Sequence, residues 1–118
     1  MIAYDLDGTI LLSPVNNIYL KKIFWKVNPK IDKNDVHTII TARTTSWLEL
    51  TWLTCKIIGL NKLHTIIFNP ENNWTVNYIS NWKYRVLTEY GFDTYIDNDR
   101  NMLIRIRLNG FQGVLKNV

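Results

Sequence analysis

Residues 1–10 read MIAYDLDGTI, an apolar run that ends in two aspartates, Asp5 and Asp7, followed by a glycine and a threonine. Residues 2–6 have the pattern of a short buried strand. Carboxylates two positions apart in an extended segment point the same way, and they repel unless a cation or a reacting phosphate lies between them. The end of the first strand is therefore the first candidate for a site.

Working outward from that strand, the chain alternates. "IYLKKIFWKV" (18–27) places Leu20, Ile23, Phe24 and Val27 on one helical face, with Pro29 as the stop. "DVHTIIT" (35–41) is a second buried strand ending at Thr41. Residues 44–60 read as a helix with Leu50, Leu53 and Ile57 on a stripe and Gly59 near its end. "LHTIIFNP" (63–70) is a third strand stopped by Pro70, and residues 75–90 form a helix whose inner face carries Ile79, Val86 and Tyr90. A fourth strand (92–98), a short helix ending before Gly110 and a last strand (111–115) follow. This order predicts an α/β fold: one Rossmann-like three-layer sandwich over residues 1–118, with a mainly parallel five-stranded sheet joined by right-handed crossovers. Such sheets bind ligands at the carboxyl ends of their strands, where Asp5, Thr41 and Asp97 fall.

Composition sets the outer limits. With 118 residues, 47% hydrophobic and 20% charged, the chain suits one ordinary globular domain. No apolar run reaches the length of a membrane span, and no basic segment with a signal core opens the sequence, so a cytoplasmic protein without membrane contact is expected. Cys55 is the only cysteine, which excludes an intramolecular disulfide and a thiolate zinc cluster; its setting in "WLTCKII" marks an inert buried thiol. The net charge of +4 favours an anionic partner such as nucleic acid, a nucleotide or a phosphorylated ligand, although no Lys/Arg block distinguishes this from a solvated basic surface.

The chemistry of "DLDGT" follows from its residue types. Asp5 can attack phosphorus as a nucleophile, and Asp7 can protonate the leaving oxygen and later deprotonate the water that cleaves the aspartyl-phosphate. Gly8 lets the backbone turn sharply beside a phosphate, and the Thr9 hydroxyl can close that turn. A calcium loop can also begin Asp-x-Asp-Gly, but it needs a terminal Glu where Asn16 stands.

The stretch resembles motif I of the haloacid dehalogenase-like phosphatase superfamily. Four fixed residues would recur by chance in about one chain in a thousand of this length. The resemblance extends over residues 1 to about 115 and implies roles for further positions. Thr41 in "IITAR", with the neighbouring Ala42 N–H, would hold a phosphate oxygen, together with Thr9 and Arg43. Lys83 would balance charge on the nucleophile and phosphate. Asp97 in "YIDNDRN" would ligate Mg2+ together with the Asp5 carboxylate and the Asp7 carbonyl, an oxygen-only set that suits this cation. Asn98 stands where many members carry a second acid, which leaves either Asp99 or a water to complete the shell.

Neither usual insertion point has room for a folded cap, since residues 10–35 hold about one helix and its loops and residues 69–75 a short loop. Capless members of that family act on macromolecular ends or phosphoproteins, or close the site with a neighbouring subunit. Arg43 and Arg100 would lie on the rim of an open site, and Arg43 resembles an arginine of polynucleotide 3′-phosphatase domains. Trp74, in the polar loop "NPENNWT", could stack on a base or pack against another subunit in a homo-oligomer. His37 and His64 sit at strand starts, away from the chemistry. The expected function is a Mg2+-dependent phosphatase acting on nucleic-acid 3′ ends or nucleotides. The rival reading is an inactive module that keeps the fold and binds a phosphorylated or nucleic-acid partner.

Overall fold

A computed structural model describes the backbone of residues 1–17 and 22–118 and the side chains of residues 1–12 and 26–118. Ten regular elements follow one another: β1 (Ile2–Tyr4), β2 (Leu11–Asn17), β3 (Lys22–Val27), β4 (Thr38–Thr44), α1 (Leu48–Ile57), β5 (Thr65–Asn69), α2 (Val76–Glu89), β6 (Thr94–Asp97), α3 (Arg100–Leu108) and β7 (Val114–Asn117). Single 3₁₀ turns precede β4 and α1.

The expected α/β fold is present. Five strands form a sheet in the order β5-β4-β1-β6-β7, and every pairing is parallel. The chain winds from β1 through β4 to β5 at one edge, then crosses back to β6 and ends at β7. Right-handed crossovers running in opposite directions deposit their helices on opposite faces. Accordingly α2 and α3 share one core with Ala3, Ile40 and Tyr95, while Cys55 of α1 lies in a second core with Tyr4, Ile39 and Ile96. Adjacent strand residues thus alternate between the two cores, with the period of two that a strand imposes.

Two expectations fail. The helix expected over 18–27 is not found where the structure describes that stretch: residues 22–27 are β3, which pairs with β2 in an antiparallel two-stranded sheet of its own, with a register shift between Leu12 and Val15. The predicted inward face of Leu20, Ile23 and Phe24 lies outside the described side chains. The segment is dense in β-branched and aromatic residues, and a short apolar run of that kind fits either period. In α2, Ile79 and Val86 are buried as expected, but Tyr90 is exposed at the helix end. No folded cap is present among the described residues.

Candidate active site

Strand periodicity assembles the centre of the site. Ala3 pairs with Tyr95, and both point toward α2. Two residues further along each strand, on the same side, come Asp5 and Asp97. On α2, Ile79, Trp82, Lys83, Val86 and Leu87 form one buried face at helical spacing, which brings Lys83 over the ends of β1 and β6. Its Nζ donates to Asp5 Oδ1 at 2.9 Å, to the Tyr95 hydroxyl at 2.6 Å and to Asp97 Oδ2 at 3.5 Å. Tyr95 in turn donates to Asp97 Oδ2 at 2.8 Å. All four groups are buried.

Burial pushes the Asp5 carboxyl up to about 6; Lys83 pulls it down, and the like charge of Asp97 adds to the rise. Burial alone would depress the Lys83 ammonium, but Asp5 and Asp97 outweigh it and hold it above its ordinary value. The Tyr95 hydroxyl is driven well up by burial and by the two carboxylates, so it stays protonated and acts as a donor.

The loop after β1 builds the second part. Asp5 and Asp7 both lie beyond Tyr4, the last residue of β1, and both line the same hollow. The turn from Leu6 to Leu11 is closed by Gly8 N–H to the Leu11 carbonyl at 2.6 Å and by the amides of Ile10 and Leu11 on the Leu6 carbonyl. Gly8 adopts φ +84°, which favours glycine, and a Cβ there would lie 2.8 Å from Asn98 Nδ2, so that side chain would have to shift. Thr9 is fully buried. Its hydroxyl accepts the Asn98 N–H at 2.9 Å and has Asp5 Oδ2 at 3.1 Å and Asn98 Oδ1 at 3.2 Å as acceptors. It therefore ties β1 to the loop after β6 and orients Asp5, instead of facing a phosphate as expected.

Arg43 reaches the site but grips Asp7: Nε donates to Oδ2 at 2.8 Å and Nη2 to Oδ1 at 2.7 Å, a bidentate pair. Nη1 donates to Thr51 of α1 at 3.2 Å. Thr41 does not end its strand as expected, since β4 runs on to Thr44 past a register shift; it is buried, and its hydroxyl accepts the Arg43 N–H at 3.1 Å. Asp99 caps α3, with one oxygen accepting the amides of Asn101 and Met102. His37 and His64 stack on each other near the strand starts, away from this cluster, as expected.

Asp5, Asp7, Ala42, Trp74, Lys83 and Asp97 open onto one hollow of about 660 Å3, whose wall also includes Asn98, Asp99 and Arg100. No family model, curated protein or solved structure matches the chain. Its chemistry is read from this hollow alone. Among the described residues no group of three or more His, Cys, Asp or Glu side chains converges on a metal position. The buried carboxylates of Asp5 and Asp97 face the hollow, with Lys83 already between them. That is too few for a fully protein-built cage, yet it fits a cation that keeps several waters and shares its shell with a substrate.

Sequence reasoning missed Tyr95 and Thr51. Tyr95 reads as an ordinary core residue of a buried strand; its place two residues before Asp97, on the same side, is the signal that would have found it. Thr51 gave no signal, because its role depends on how α1 is rotated.

Proposed function

We propose that this chain is a Mg2+-dependent phosphatase that hydrolyses phosphate monoesters through an aspartyl-phosphate on Asp5, with nucleic-acid 3′ ends or nucleotides as its substrate class. The observation that carries this is the setting of Asp5: a buried carboxylate at a strand end, held through both oxygens by Lys83 and Thr9 and open to a hollow that Asp7 also lines. At neutral pH a carboxyl at about 6 is mainly ionised and so competent as a nucleophile.

An Asp5 oxygen forms a bond to phosphorus as the bond to the leaving oxygen breaks, and Asp7 supplies the proton that the leaving oxygen takes. Water then attacks the phosphorus, Asp7 recovers a proton from it, and the Asp5–phosphorus bond breaks to release phosphate. Both Asp7 oxygens accept from Arg43, so Asp7 must release at least one of these bonds to carry the proton in either transfer. Lys83, kept charged by two carboxylates, faces the negative charge that gathers on the phosphoryl oxygens. Asp5, Asp97 and the Asp7 carbonyl would hold the Mg2+, which when bound neutralises phosphate charge. A cytoplasmic location accompanies this reading.

Release of phosphate from an aryl phosphate, measured with Mg2+ and with EDTA, tests it. Wild type should turn over only with Mg2+; Asp5→Asn should be inactive, and Asp7→Asn slower by about a hundredfold to ten-thousandfold. An Asp5→Asn rate equal to wild type would sink the covalent mechanism. A second reading, a binding module without turnover, is favoured by Asn98 in place of a second acid. Absence of metal-dependent turnover on aryl, nucleotide and oligonucleotide phosphates would select it.

A further inference from the structure

We propose that Trp74 is a stacking platform for the base of a nucleotide whose phosphate sits among Asp5, Asp7 and Lys83; this rests on the reading of the hollow as a phosphate site. Trp74 is 54% exposed, yet its position is tightly specified. Its indole N–H donates to the Ala42 carbonyl at 2.9 Å. That carbonyl already accepts from the buried Asn69 side chain at 3.2 Å, so the indole is not required to satisfy it. What the second bond does is fix the ring.

The loop around the ring is equally committed. Asn69 donates to the Asn73 carbonyl at 3.0 Å and accepts the Glu71 N–H at 3.1 Å. The Asn73 side chain accepts both the N–H and the hydroxyl of Thr75, the residue that caps α2. Residues 69–75 thus hold a large aromatic surface open to solvent at the mouth of the hollow, where Val76 and Ile79 continue the apolar lining and Arg100 adds a positive charge.

A phosphate alone fills a small part of about 660 Å3. The remaining space, with a flat aromatic wall, an apolar floor and a cation, matches a sugar and a heterocyclic base. The net positive charge suits the further phosphates of a nucleic-acid end, whereas a peptide carrying phosphotyrosine would present its own flat ring with no sugar to place.

The test compares adenosine 3′-monophosphate with glycerol 2-phosphate on the wild-type chain, Trp74→Ala and Trp74→Phe. Calorimetric binding in chelator gives an answer independent of turnover, and kcat and KM with Mg2+ give another. Wild type should favour the nucleotide by about tenfold or more, in keeping with the usual worth of one stacked base. Trp74→Ala should erase that preference by raising KM for the nucleotide about tenfold more than KM for glycerol 2-phosphate, and Trp74→Phe should restore most of it. Base preference that survives Trp74→Ala, equal losses on both ligands, or no base preference in either measurement would each overturn the proposal. Trp74-dependent nucleotide binding without any turnover would leave it standing while removing the phosphatase reading; turnover without base preference would do the reverse.

Discussion

Helix α2 turns Ile79, Trp82, Val86 and Leu87 onto the sheet, whereas α1, on the opposite face, turns Thr51, Thr54 and Cys55 inward and leaves Leu50, Leu53 and Ile57 largely in solvent. Both helices carry an apolar stripe at helical spacing, but only one of them buries it. The difference lies in what fixes each helix's rotation. Helix α2 is reached through the hydrogen-bonded loop 69–75, capped by Thr75, and settles with its apolar face down, carrying Lys83 with it. Helix α1 follows β4 after a single 3₁₀ turn, and its Thr51 hydroxyl accepts from Arg43 while that arginine holds Asp7. Its rotation is tied to the site, so short side chains face the sheet. A hydrophobic stripe therefore reveals a helix, while its direction depends on the connections at the helix ends.

The largest effect expected from this contrast is at Lys83. Replacing it by Ala leaves Asp5 and Asp97 buried side by side without their cation, which should cost about 3–5 kcal/mol in the metal-free protein and remove turnover. Urea unfolding in chelator and phosphate release with Mg2+ measure the two effects. A stable but inactive variant would mean that the pair is less dependent on Lys83 than its burial implies.

Truncating the stripes compares the faces directly. Leu87→Ala, at a fully buried position of α2, should destabilise by about 2–5 kcal/mol. Leu53→Ala, at an exposed position of α1, should stay within about 0.5 kcal/mol. Similar shifts in the urea midpoint for the two variants would break the contrast, and a large loss at Leu53 would show that the outer face of α1 is covered in solution.

The smallest effect concerns Cys55, on the inner face of α1. Burial pushes its thiol up to about 11. The folded protein should thus resist a thiol-reactive reagent at pH 8 and react fully once unfolded in urea. Because the folded value lies above the unfolded one, the associated stability is present below the unfolded thiol's pKa and lost as pH climbs through about 11. Ready labelling of the native protein at pH 8 would place α1 further from the sheet than described.

Two residues of the hollow were legible because strand ends leave a mark: Asp5 and Asp97 close two apolar runs, whereas Lys83 was implied only by the resemblance, since a lysine on a helix is ordinarily solvated. The hairpin of β2 and β3 was not legible, since Ile23, Phe24 and Val27 suit a helical face and a strand equally well. Side-chain destinations were hidden too. "TAR" shows an arginine after a strand-end threonine, but not that its guanidinium would turn back onto Asp7, which requires knowing that the β1 and β4 ends are neighbours.

The sheet topology also bears on how the protein is made. β1 lies at the centre, between β4 and β6, and the contact that joins Met1 to Asp93 spans 92 positions of sequence. A ribosome delivers the first strand long before its second neighbour exists, so β1 can gain one flank early but must wait for β6 to cover the other. Distant parallel pairings of this kind slow folding toward the millisecond-to-second range and leave an unpaired edge exposed meanwhile. Asp5 can meet Asp97 only once β6 has been made, so a nascent chain shorter than β6 lacks the cluster around Lys83 altogether.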